Sequence, residues 1–270
     1  MSYKVEIVFV DVDGTLLNSE REISDDTMKQ IQELNKNNVK VVLCSGRPYR
    51  GLIKYIEMLG LNQKNQYSVS FNGGAIHSNY DGGIIHQKTF KKEELEFLTD
   101  IGLKYSVNFH IESVENIYTQ FKEVGHYTIR DCFLTDMPLK VVKKDDLIHM
   151  NDICKVIFAD EPEIINKLES RIPKEIRELV QFERSRPYYL EVMPKGTHKG
   201  FAVNWMKDYL SLRSSAAIGD GNNDISMFKN VDIAIAMANA SNKIKEICQF
   251  TTLSNDEDGI GSAIKKWLYK

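Results

Sequence analysis

Asp11-Val12-Asp13-Gly14-Thr15-Leu16 places two carboxylates directly after the apolar run 5–10. Two negative charges at the end of a buried strand are costly unless a cation joins them or one stays protonated. Gly14 lets the chain turn away sharply, so both acids can open into a cleft. A second acidic segment, Gly219-Asp220-Gly221-Asn222-Asn223-Asp224, follows another apolar run. Its glycines permit a tight turn, and Asp220 and Asp224 offer the hard oxygens that Mg2+ takes. The spacing does not match an EF-hand loop, and no Glu closes the twelfth position. Either segment alone also suits an ordinary turn. Two acidic strand ends in one parallel sheet, however, meet at its carboxyl edge, where open α/β sheets place their sites.

Polar and cationic partners stand at matching places. Ser45-Gly46-Arg47 follows the apolar run 39–44, so a hydroxyl and backbone N–H groups can hold phosphate oxygens there. The alternative for Ser45 is a helix cap, with Pro48 at the helix start. Lys199 lies in Pro194-Lys195-Gly196-Thr197-His198-Lys199-Gly200, ahead of a helical pattern, and can bring a point charge to a phosphate or carboxylate. A solvated surface lysine is the competing reading.

These residues need a scaffold. The runs 5–10, 39–44 and 67–71 read as strands alternating with helices, the first capped by Ser24 with apolar Met28, Ile31 and Leu34 at helical spacing, the second near 52–59. The last third repeats the grammar, with strands at 216–218 and 233–237 and helices near 201–209, 225–228 and 260–268. The fold expected is α/β, a Rossmann-like parallel-sheet core interrupted by an inserted α+β domain. Residues 1–83 form the first part of the core, 84–187 the insert and 188–270 the return of the core. Within the insert a helix is expected from about 91 to 105, strands near 108–111 and 117–120, and a βαβ-like unit from 154 to 182.

Composition narrows the function. The 270 residues suffice for two domains. With 35 Lys+Arg against 38 Asp+Glu, the net charge of −3 does not favour a nucleic-acid or membrane-surface binder. No apolar stretch approaches a membrane span, and Glu6 sits where a secretory signal would carry its apolar core. A cytoplasmic protein is expected, with no obligate protein partner inferred. Cys44, Cys132, Cys154 and Cys248 show neither zinc nor disulfide spacing, and Cys44 reads as a buried, inert thiol.

The D-x-D-G-T-L, S-G-R, K-G and G-D-G-x-N-D segments, in this order and with an insert between the second and third, resemble the haloacid dehalogenase superfamily of phosphohydrolases. Its Cof-type branch, with a C2 (IIB) cap, is the nearest likeness, and Asp258-Gly259-Ile260-Gly261-Ser262-Ala263-Ile264 is similar to that branch too. The resemblance implies a Mg2+-dependent phosphatase for small phosphorylated metabolites, sugar phosphates foremost. Asp11 is then the nucleophile that forms an aspartyl-phosphate, and Asp13 the general acid and base. Mg2+ is held by Asp11, the main-chain carbonyl of Asp13, Asp220 and Asp224. Ser45, Lys199 and Asn223 bind the phosphoryl group, with Thr15 steadying the loop.

Gly46, Arg47 and Asn72 border the cleft in this family and are candidates for substrate contact. Lys199 is preferred to Lys195 because the family lysine precedes glycine. His198 reads as an exposed loop histidine, and the insert as a cap that closes over the site and chooses the leaving group. Tyr105, His110, Tyr118, Tyr127, Tyr188 and Tyr189 are candidate lining residues, each more often core than pocket. The competing functions are a phosphotransferase or phosphomutase using the same intermediate, and a non-catalytic phospho-aspartate switch. Asp13, which a switch does not need, argues against the last.

Overall fold

The structure, a computed structural model, describes residues 4–268. In chain order its strands are β1 (Ile7–Val10), β2 (Lys40–Cys44), β3 (Tyr67–Ser70), β4 (Ala75–Ser78), β5 (Ile84–Gln87), β6 (Phe109–Ser113), β7 (Ile117–Thr119), β8 (Leu139–Val141), β9 (Ile153–Ala159), β10 (Val180–Arg186), β11 (Tyr189–Pro194), β12 (Ser215–Gly219), β13 (Ile233–Ala236) and β14 (Phe250–Thr251). They form two sheets, ordered β14-β13-β12-β1-β2-β3-β4-β5 and β10-β11-β9-β6-β7-β8. Among the described residues no helix is long and apolar enough to cross a membrane.

The chain divides into two compact units. Within the described residues the first comprises 4–46, 52–85 and 198–268, the second 47–51 and 86–197. The first carries the parallel sheet. β1 pairs in parallel with both β2 and β12, and the order then runs outward through β3 on one side and through β13 and β14 on the other. Every residue of β1 and β12 is buried, as strands sandwiched between helices require. The connection direction reverses between β1 and β12, which creates a crevice at their carboxyl ends. The helix Asp25–Lys36 connects β1 to β2, and Ser24 caps it as expected by accepting from the Thr27 N–H at 3.2 Å.

The parallel sheet is extended by a strand the sequence did not reveal: β4 runs antiparallel to β3. Their hairpin carries His77, fully buried, with Nε2 3.0 Å from the Ser70 hydroxyl and Nδ1 3.4 Å from the Gly82 carbonyl.

In the second unit, helices Lys92–Lys104 and Pro162–Arg171 supply Leu95, Leu98, Ile165 and Leu168 to a core shared with Phe109, Ile111, Val156 and Phe158 of β6 and β9. Two expectations need correction. This unit extends to Thr197, past the expected return at 188, because β11 pairs antiparallel with β10 and β9. The 154–182 segment is likewise no simple βαβ unit, since β11 lies between β9 and β10. All four cysteines are free, and burial pushes the Cys44 thiol up to about 12.

Burial pushes the His77 imidazole down from 6.5 to about 4. The unfolded chain therefore takes up a proton below pH 6.5 that the folded chain refuses until about pH 4. Stability should fall as pH drops through that window, by about 3 kcal/mol from this group. Urea unfolding of wild type and His77→Gln at pH 7 and pH 4.5 checks it. The difference between the two proteins should change with pH, and a constant difference would show that His77 is not held neutral.

Candidate active site

The loops after β1 and β12 lie at the crevice where the direction of the connections reverses, and they bring the acids together. Side-chain oxygens of Asp11, Asp220 and Asp224 lie within 4.8 Å of one another. Asp11 and Asp224 are buried and Asp220 is half-buried. Such a cluster survives only with compensating charge, and Lys199 supplies part of it. Its Nζ, fully buried, donates to Asp11 Oδ1 at 2.5 Å and to Asp224 Oδ1 at 2.7 Å.

Each acid is placed by local backbone logic. Gly14 has φ +83°, and a Cβ there would stand 2.6 Å from Asp220 Oδ2, so only glycine allows the two loops to approach this closely. Thr15 donates from Oγ1 to Asp220 Oδ1 at 2.6 Å. Asp224 Oδ2 accepts from the backbone N–H groups of Asp220 at 3.0 Å and Gly221 at 2.8 Å. Both oxygens of Asp224 are thus engaged, one on the lysine and one on its own turn. Asp13, two residues after Asp11, is exposed at the start of the returning loop, where it bridges to Leu17.

The lysine is aimed by its helix. Lys199 is the first residue of the helix Lys199–Leu210, and the His198 ring caps that helix by accepting from the Phe201 N–H at 3.0 Å. His198 is therefore half-buried and structural, which corrects the expectation of an exposed loop residue. Gly200 follows because a Cβ would meet the Ser226 carbonyl at 2.3 Å. Lys195 is exposed and belongs to the second unit.

Ser45 is buried directly after β2, with its N–H on the Val69 carbonyl at 3.0 Å. Asn223 sits in the turn Asn222–Asp224 and donates from Nδ2 to Asn72 Oδ1 at 3.1 Å. Asn72 itself is buried, and a Cβ on Gly46 would come within 3.0 Å of Asn72 Oδ1. Arg47 groups with the second unit, its Nη1 3.5 Å from the Gly51 carbonyl.

Charge and burial set the electrostatics. Burial, with the neighbouring charges of Asp224 and Asp220, holds the Asp11 carboxyl well above the usual carboxylate range, and Lys199 only partly offsets this. Burial likewise raises Asp220, against the Thr15 hydrogen bond. Burial opposes the charge on Lys199, yet Asp11 and Asp224 outweigh it and hold the ammonium well above its ordinary pKa. Three carboxylates against one ammonium leave excess negative charge in a confined space, the donor set of a hard divalent cation.

Several residues escaped sequence reasoning. Asn239 Nδ2 donates to the Gly14 carbonyl at 2.8 Å, and Asn255 Nδ2 to that of Leu17 at 3.0 Å, so both tether the loop that bears Asp13. No local spacing signals partners more than two hundred residues away. In the second unit His110, a candidate lining residue from the sequence, sits 3.0 Å from both Thr128 Oγ1 and Asp131 Oδ2. Lys155 lies opposite Glu112 and is 2.8 Å from Glu191. These ionisable groups are buried, and a lysine in the otherwise apolar β9 was the legible signal. Of the candidate aromatics, Tyr127 and Tyr188 stack at 4.5 Å, and the Tyr189 hydroxyl donates to the Tyr127 carbonyl at 2.7 Å.

Comparison with known proteins agrees with the geometry. A family model described as haloacid dehalogenase-like hydrolase matches residues 8–264. The chain belongs to that family. It is 34% identical over 269 residues to a Streptococcus pyogenes protein provisionally named a phosphatase, covering 98% of each chain. A haloacid dehalogenase-like hydrolase from Bacteroides thetaiotaomicron shares the fold with a TM-score of 0.88 at 26% identity, covering 97% of this chain and 99% of that one. The subclass IIB sugar phosphatase BT4131 has the same fold, with a TM-score of 0.78 at 21% identity over 96% and 98% of the chains. The family and its relatives make this haloacid dehalogenase-like hydrolase a phosphatase.

Removing the ammonium alone should be severe. Lys199→Met leaves Asp11 and Asp224 facing each other in a buried site, a loss of about 3–5 kcal/mol. Lys195→Met should stay within about 0.5 kcal/mol of wild type. Urea titration of both variants decides it, and equal stabilities would show that Lys199 carries no such burden.

Proposed function

We propose that this phosphatase hydrolyses small phosphorylated metabolites, sugar phosphates foremost, through an aspartyl-phosphate on Asp11 and with Mg2+. The observation that carries the reading is the shared lysine: Lys199 joins Asp11 to Asp224 beside Asp220 and at the crevice between β1 and β12.

Asp11 attacks phosphorus, and the bond from phosphorus to the ester oxygen breaks. Asp13, exposed and two residues on, gives its proton to the departing alcohol. Asp13 is then a base: it takes a proton from water as that water attacks phosphorus, which releases phosphate and restores Asp11. Ser45, Lys199 and Asn223 bind the phosphoryl oxygens, and the ammonium offsets charge that grows during transfer.

The acid cluster fits a hard cation by its donor chemistry, with carboxylate oxygens from Asp11, Asp220 and Asp224 and the main-chain carbonyl of Asp13 as ligands. When bound, Mg2+ supplies positive charge that keeps Asp11 ionised and lets an anion approach it. Sugar phosphates fit a reading in which the leaving group is an unactivated alcohol, because such a group needs the proton that Asp13 carries.

Phosphate release from a panel of phosphorylated metabolites, with Mg2+ and then with a chelator, tests the reading. Asp11→Asn should lose at least about a thousandfold in turnover while keeping its fold, because an amide cannot attack phosphorus. Retained activity would remove Asp11 from the mechanism, and release unaffected by the chelator would remove the metal. Asp13→Asn should cost roughly 100-fold or more on sugar phosphates and far less on an aryl phosphate whose leaving group needs no proton. Equal losses on both substrates would place the acid elsewhere.

A further inference from the structure

Phe71, Asn72 and Gly73 hold successive positive φ angles of 52°, 54° and 98°. Phe71 is bulky and fully buried, a residue that does not choose the left-handed region by preference. Such a backbone persists where its surroundings over-determine it, and it clusters at functional sites. Here the surroundings are three segments that carry the proposed phosphate-binding groups. The Asn72 N–H donates to the carbonyl of Ser45 at 2.9 Å. A Cβ on Gly73 would meet the carbonyl of His198, the residue before Lys199, at 2.5 Å. The Asn72 carboxamide oxygen accepts from Nδ2 of Asn223 at 3.1 Å.

We propose that Asn72 is a positioning residue for phosphoryl transfer: its carboxamide fixes the direction of the Asn223 carboxamide and does not touch substrate. A phosphate oxygen accepts hydrogen bonds and donates none when ionised, so Asn223 must present its amino group and not its carbonyl. An Asn side chain can turn over and exchange the two. With Asn72 Oδ1 as a fixed acceptor, the Asn223 amino group is held on one side, and one of its two N–H bonds is used there, leaving the second for a phosphoryl oxygen. Asn72 is 4% exposed, which suits a buried orienting group better than a substrate contact. The strained turn explains the residue type as well, because Asn tolerates the left-handed backbone and still carries an acceptor.

The inference rests on the proposed role of Asn223 in binding phosphate, and a double-mutant cycle separates the two claims. The variants are Asn72→Gly, which keeps the backbone and drops the carboxamide, Asn223→Ala, and both together. Steady-state hydrolysis of p-nitrophenyl phosphate gives kcat and KM, and thermal unfolding reports the fold. Asn72→Gly should lower kcat/KM roughly tenfold, and in the Asn223→Ala background it should lower it no further. A substrate contact or a merely structural role would instead multiply the two losses, which overturns the inference. Asn72→Ser, which drops the carboxamide and is a residue type this chain already holds at positive φ in Ser106 and Ser211, repeats the cycle if the glycine variant folds poorly; its effect must also vanish without Asn223. An Asn223→Ala protein with wild-type kcat/KM would overturn the role of Asn223 itself, and the inference with it.

Discussion

One buried ammonium group makes the crevice between β1 and β12 tenable. Asp11 and Asp224 face the same Nζ at 2.5 and 2.7 Å, and both acids are buried. Much of the first unit's local structure exists to deliver that group. His198 caps the helix that begins at Lys199, Gly200 lets that helix start against the Ser226 carbonyl, and Gly73 lets the preceding turn close on His198. The acids are delivered with similar economy: Gly14 clears space for Asp220, and the Asp220 and Gly221 amides fix Asp224. A crevice built this way is preorganised, since its polar groups are already oriented when charge develops in the reaction.

The second unit buries a further set of ionisable groups. Lys155 lies between Glu112 and Glu191, and His110 between Thr128 and Asp131, all buried on strands and a helix of one small domain. Burial drives the Glu112 carboxyl far up, with Lys155 opposing, so that acid can resolve its excess charge by keeping a proton. In the proposed mechanism Asp11 cannot use that route and still attack phosphorus.

How far the sequence discloses this arrangement follows from what each residue depends on. β1, β2, β12 and β13 are largely apolar because both faces are covered, and Asp11 and Asp220 sit directly after β1 and β12, so strand end and candidate site are read together. Ser24 declares its cap through a contact three residues away. The helix His126–Thr135 gave no such signal. Its apolar Ile129 and Phe133 are 55% and 85% exposed, so no buried stripe marks it in the sequence. β11 was obscured by Glu191 and Pro194 within it, and its antiparallel pairing with β9 moved the unit's boundary.

The tethers are the least legible part, and their distribution has a physical reason. Asn239, Asn255 and Asp256 hold the loop after β1 from residues far along the chain, by hydrogen bonds to Gly14, Leu17 and Ser19. Side-chain amides and carboxylates on loops are common, so their types carry no signal until the fold supplies a partner. An exposed acid such as Asp13 gains no positional restraint from burial. The loop that carries it is fixed at the Gly14 and Leu17 carbonyls by the carboxyl-terminal third of the chain. The sheet therefore aims Asp11 directly through β1, whereas Asp13 is aimed indirectly, by the segments that follow β13 and β14.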